Sequence, residues 1–149
     1  MLSLAKYMET ETPTVASELR LAVGRLARKV RLSETSGLTP SQLSALATID
    51  QIGRARLCDV AAAEGVSAPT ATRIVSAIEK LGLVARADDS EDRRATRVAL
   101  TPAGRAALRR IRTNRTAFLQ QRLHRLDEHD LAVLRAALPV LIALSEDEA

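Results

Sequence analysis

Between positions 67 and 76 the chain carries Ser67, Ala68, Pro69, Thr70, Thr72, Arg73 and Ser76, small or hydroxylic side chains with one arginine among them. Read as the exposed positions of a helix, they suit close approach to a nucleic-acid groove. Hydroxyls can bond phosphates or base edges, while Ala68, Pro69 and the threonine methyls can touch thymine methyls. Ser67 stands where the helix would be capped, and the free amides of a helix N-terminus favour a phosphate. A second set, Asp92, Arg93 and Arg94, lies in the polar run 88–95. A guanidinium at the tip of such a loop can enter the narrow minor groove with its negative potential, and Asp92, two residues before Arg94, can bond its fork and fix its direction. Blander readings stand beside these: a solvated helix face, and an exposed ion pair worth about 0–1 kcal/mol.

Other reactive residues are sparse. Cys58 is the only cysteine, which excludes an internal disulfide and fits a reducing, cytoplasmic setting. A thiol at a helix start can be acidified, but a small buried or capping residue is the simpler reading for Cys58. His124 and His129 have no metal-like spacing with Cys58 or with acidic residues, so neither a metal nor another cofactor is expected. There is no glycine-rich phosphate loop, no recognisable nucleophile set and no paired-carboxylate motif, so the sequence does not read as an enzyme.

The elements that must position these residues follow from periodicity and punctuation. Thr12-Pro13 offers a cap and a first-turn proline, and Val15, Leu19, Ala22, Leu26 and Val30 then recur at helical spacing, giving a first helix that ends near Ser36-Gly37. Leu38-Thr39-Pro40-Ser41-Gln42-Leu43 starts the second: Thr39 caps, Gln42 completes a capping box, Pro40 sits in the first turn and Leu38 staples onto Leu43. Leu43, Leu46, Ile49 and Ile52 should point inward, with Gly53 ending the helix. A connector with Arg54 and Arg56 leads to a short helix over 59–64, stopped by Gly65.

Ala71, Ile74, Val75, Ile78 and Leu81 form the buried stripe of the next helix, which ends at Gly82. Helix, tight turn and helix make a helix-turn-helix. Residues 83–87 and 96–100 read as strands of a long hairpin, a wing. Thr101-Pro102 then opens a long helix with Leu108, Ile111, Phe118, Leu119, Leu123 and Leu126 on its apolar side. A last helix from about Glu128 carries Leu131, Leu134, Leu138, Leu141 and Ile142, with Pro139 expected to kink or split it.

Bulk properties agree with a largely helical body. Tyr7 and Phe118 are the only aromatics in 149 residues, so the core must be built from Leu, Val, Ile and Ala. The net charge is +4 and the pI is about 10.0, which points to an anionic partner. Every charged residue of the stretch 105–125 is basic, whereas acidic residues dominate 126–149, so the two blocks can also pair with each other. The N-terminus lacks the pattern of a signal peptide and no stretch has membrane-spanning length, so no membrane association is expected.

Asp89-Ser90-Glu91-Asp92-Arg93-Arg94, followed by Val98-Ala99-Leu100-Thr101-Pro102-Ala103-Gly104, resembles the wing signature of the MarR (multiple antibiotic resistance regulator) family, and Val66-Ser67 and Leu81-Gly82-Leu83-Val84 also sit where that family's pattern has them. The resemblance covers nearly the whole chain. It implies a mainly α fold with a small β-hairpin wing: a winged helix-turn-helix lobe over 39–101 and a helical dimerisation region over 13–36 and 102–146. The implied function is that of a homodimeric regulator on a pseudopalindromic site in double-stranded DNA, often a repressor released by a small-molecule effector. The helix from Ser67 would then take the major groove, with Arg94 in the minor groove and Asp92 as its brace. The oxidant-sensing cysteine of some members lies in the first helix, unlike Cys58. A winged helix serving as a protein-interaction module without its own operator remains the alternative, favoured by the almost balanced charge of 57–100.

Overall fold

The computed structural model describes residues 2–88 and 96–146, with side chains from Thr12 onward except that of Asp88. Within them the chain forms α1 (Leu2–Leu32), α2 (Pro40–Ile52), β1 (Ala55–Arg56), α3 (Leu57–Glu64), α4 (Ala68–Lys80), β2 (Val84–Asp88), β3 (Thr96–Leu100), α5 (Pro102–Leu123) and α6 (Glu128–Ala143). The mainly α fold with a small wing is the one expected. The strands make one antiparallel sheet in the order β1-β3-β2, with Ala55 opposite Val98 and Val84 opposite Leu100.

Two compact units divide the chain, Glu34–Asn114 and the combination of Met1–Ser33 with Arg115–Ala149. The first has a closed core. Leu46, Ile49, Val60, Val75, Ile78, Val98 and Ile111 are its largest fully buried side chains, and Leu38, Leu57, Ile74 and Leu83 pack against it. Burying a Val, Leu or Ile side chain is worth about 1.5–3 kcal/mol, so this cluster supplies most of what holds α2, α3, α4 and the sheet together.

Helix α2 begins as its sequence dictates. The Gln42 amide donates to Thr39 Oγ1 at 3.2 Å and the Thr39 amide donates to Gln42 Oε1 at 2.9 Å, a reciprocal capping box. Gly53 closes it with φ +89°. Ile52 corrects the expected inward stripe: it is 43% exposed, because the helix ends there and Ala45 takes the buried place on the preceding turns. Leu81 departs likewise from the α4 stripe at 56% exposure, lying one residue past the end of that helix.

The cap expected at Thr12-Pro13 and the split expected at Pro139 need correction. Helix α1 starts at Leu2 and Pro13 lies inside it, so Thr12 is not its cap, and the helix ends at Leu32, short of Ser36-Gly37. A proline interior to a helix costs one backbone hydrogen bond and crowds the preceding turn, which a long helix survives when its flanking turns are intact. Pro139 likewise sits within an undivided α6, exposed and only one turn from the helix end, where few backbone bonds depend on it. Strand β1 is the element without a sequence precedent, lying in the segment read as a connector.

The second unit lacks a comparable interior. Among its described residues no side chain is fully buried, and Val15, Leu21, Val23, Leu26 and Leu32 on the α1 side, with Val133, Leu138, Val140, Ile142 and Leu144 on the α6 side, are large apolar groups left exposed. No helix among the described residues is long and apolar enough to cross a membrane.

Candidate nucleic-acid interface

The interface is built on α4, which is anchored by Ala71, Val75 and Ile78, all 1% exposed or less. With that stripe inward, Ser67, Ala68, Pro69, Thr72 and Arg73 are exposed, while Thr70 and Ser76 are half-buried. Ser67 caps the helix, its hydroxyl accepting from the Thr70 amide at 3.4 Å and lying 3.0 Å from Thr70 Oγ1. Thr72 donates its proton to the Ala68 carbonyl at 2.9 Å, so toward a ligand it presents a methyl and an acceptor rather than a donor. Arg73, the next residue and one turn past Pro69, is exposed as well. The structure therefore gathers Ser67, Ala68, Pro69, Thr70, Thr72 and Arg73 on the N-terminal half of α4, whereas Ser76 lies further along and half-buried.

The helix before it arrives at a fixed angle. The Asp59 carboxylate accepts from the Arg56 amide at 3.1 Å at the start of α3. Gly65, with φ +62° and ψ +33°, then takes the left-handed conformation that ends it, a geometry costly for residues with a β-carbon. Cys58, in the first turn of α3, corrects the expectation of burial: it is exposed, because the core-facing positions of this short helix are Val60 and Ala61, and its Sγ lies 3.8 Å from Asp59 Oδ1.

The hairpin base is tied to its neighbours by a compact set of bonds. Thr101 donates its amide to the Leu83 carbonyl at 3.0 Å and its hydroxyl to the Gly82 carbonyl at 2.6 Å, while that hydroxyl accepts from the Gly104 amide at 3.0 Å. Arg105 adds a bond to the Leu100 carbonyl at 2.9 Å. On the sheet, Arg56 and Arg97 face each other across β1 and β3, and Arg97 Nη1 donates to the Arg54 carbonyl at 2.9 Å. Asp92, Arg93 and Arg94 lie outside the described residues.

One contributor escaped sequence reading. Arg86 extends from β2 to α4, where its Nη2 donates to Ser76 Oγ at 2.8 Å and its Nε lies 3.0 Å from Glu79 Oε2. The Nε–H is not aimed along that second line, so the contact is an ion pair more than a directed hydrogen bond. The signal was present: successive strand residues alternate faces, so Arg86 shares the inward face with Val84, where a lone cation needs a partner on the helix behind it.

A helix-turn-helix backed by a three-stranded antiparallel sheet whose last two strands form a hairpin defines the class: a winged helix-turn-helix. Residues 38–96 match the MarR family. The chain is 33% identical over 134 residues to the HTH-type transcriptional regulator Mb0904 of Mycobacterium bovis, covering 89% of this chain and 94% of that one. It is 26% identical over 120 residues to the HTH-type transcriptional repressor MdtR of Bacillus subtilis, with 77% of each chain covered. A crystal structure of a Pseudomonas aeruginosa protein described as a transcriptional regulator superposes with TM-score 0.82 at 32% identity, covering 93% of this chain and 98% of the other. The chain belongs to the MarR family of transcription regulators, which are DNA-binding proteins and not enzymes.

Proposed function

We propose that this regulator is a cytoplasmic homodimeric repressor that binds a pseudopalindromic operator and leaves it when a small molecule binds. The observation that carries the DNA reading is the exposed N-terminal half of α4, with Arg73 held outward by a helix whose opposite stripe is buried. Ser67, Ala68, Pro69, Thr70, Thr72, Arg73 and Ser76 serve the major groove. Arg93 and Arg94 serve the minor groove from the wing, with Asp92 orienting Arg94.

The dimer reading rests on the exposed Leu, Val and Ile side chains of α1 and α6. Apolar surface in that quantity on unburied helices is what a subunit interface covers. Residues 13–36 and 102–146 form the dimerisation region and 39–101 the DNA-binding lobe, with the start of α5 also closing the core of that lobe through Leu108 and Ile111. Two such lobes would meet successive major grooves about 34 Å apart. Repression is favoured by the similarity to MdtR. A cavity of about 190 Å³ lined by Ser36, Leu38, Leu81, Leu83, Ala107 and Arg110, apolar with one guanidinium, offers room for a small effector with an anionic group.

Selection of duplexes from genomic fragments by the purified protein tests this. An enriched inverted repeat bound with steep salt dependence is expected. Absence of any enriched sequence would leave a winged helix that acts on proteins instead.

A further inference from the structure

We infer that Arg86 is a positioning residue for DNA binding: a tie from the wing strand to the recognition helix that fixes the two DNA-contacting elements relative to each other. The inference rests on the DNA interface proposed above. Arg86 contacts Ser76 and Glu79, which stand three residues apart and so share one face of α4, just beyond Arg73. One guanidinium thereby grips two successive turns of the helix. Its planar fork can hold both partners at once, which a lysine ammonium on a flexible stem does far less well.

The location gives the tie its leverage. Between α4 and β2 the chain turns at Gly82, with φ +74°, and the strand is buried again at Val84. Arg86 lies two residues further out along β2, on the way to the wing, and opposite the fully buried Val98 of β3. A bond at that point resists rotation of the hairpin about its base. The side chains of Arg86 and Glu79 are 29% and 37% exposed, so the pair is partly sheltered from water and retains more of its attraction than a fully solvated one. An interface of two separated contacts gains when both are held in register beforehand, because the cost of ordering them is met during folding rather than on binding.

The full-length protein and its selected duplex allow a test through Arg86→Gln, Arg86→Lys and Glu79→Gln. Arg86→Gln should lower affinity about tenfold with an unchanged slope of log affinity against log salt, since no phosphate contact is lost. Hydroxyl-radical footprinting should show the minor-groove protection of the wing weakened while protection over α4 persists. Arg86→Lys should recover part of the affinity. Glu79→Gln, a surface amide replacement that carries the test should Arg86→Gln not fold, should lower affinity about threefold with the same footprint.

Wild-type affinity in Arg86→Gln, or in Glu79→Gln where that is the variant available, overturns the inference. So does a slope shallower by about one, which would make Arg86 a phosphate ligand, or a uniform loss of protection matching the fraction of protein unfolded. Arg73→Ala and Arg94→Ala separate the two levels. If both bind as wild type, the interface reading fails and takes the tie with it; if both weaken binding and Arg86→Gln does not, the tie alone fails.

Discussion

The carbonyl group of Leu83 occupies the space that a β-carbon on Gly104 would need, its carbon lying 2.9 Å from that point and its oxygen closer still. Both groups are backbone-anchored, one just before β2 and the other in the first turn of α5, so neither yields by a side-chain rotation. The Thr101 bonds to Gly82, Leu83 and Gly104 draw the same segments together. Thr101 and Gly104 are therefore packing requirements at the hairpin base.

Gly104→Ala should destabilise the protein by at least about 1–3 kcal/mol, the usual cost of overpacking, since backbone must move to relieve the clash. Urea unfolding measures it. A midpoint equal to wild type would mean that α5 shifts without cost.

Thr39→Ala should cost about 1 kcal/mol by removing one half of the capping box at α2. Gln42→Ala removes the other half, and the double variant should lose less than the sum, because the two bonds support one helix start. Strict additivity would show that the two caps act independently.

Arg73→Ala should weaken operator binding by about 1–3 kcal/mol and relax preference at one position of each half-site. Competition with permuted duplexes reads out both. Equal loss at every sequence, with a shallower salt dependence, would assign Arg73 to a phosphate instead.

Val140→Asp should leave the Glu34–Asn114 unit folded, since Val140 is 62% exposed on α6, yet raise the dimer dissociation constant at least about tenfold. Sedimentation equilibrium would show the change. A variant that sediments as the wild type does would move the interface off this part of α6.

How much could be read from the sequence depended on how local the controlling physics is. The start of α2 was legible because Thr39, Pro40 and Gln42 carry all the cap information within one turn. The buried stripe of α4 was legible because Ala71, Val75 and Ile78 recur at helical spacing. Pro13 was misread because a proline that opens a helix and one carried inside a longer helix present the same local pattern, and only the chain ahead of it decides. Strand β1 has two residues and no periodicity; it is a strand only because β3 offers it partners some forty residues later. The α4 half of the candidate site was anticipated and the α4–β2 link was not: alternation puts Arg86 on the inward face with Val84, but only the folded packing shows that Ser76 and Glu79 of α4 are the partners it meets there.

The strand order β1-β3-β2 also bears on how the protein behaves when concentrated. Unpaired amides and carbonyls along a sheet border can template a strand from another molecule, and long, flat, apolar borders are where aggregates begin. Here β3 is paired on both sides, one border is only the two residues Ala55–Arg56, and the other is the short β2, whose sequence includes Arg86 and Asp88. Among the described residues the sheet therefore offers other copies of the chain no long, apolar border on which to polymerise.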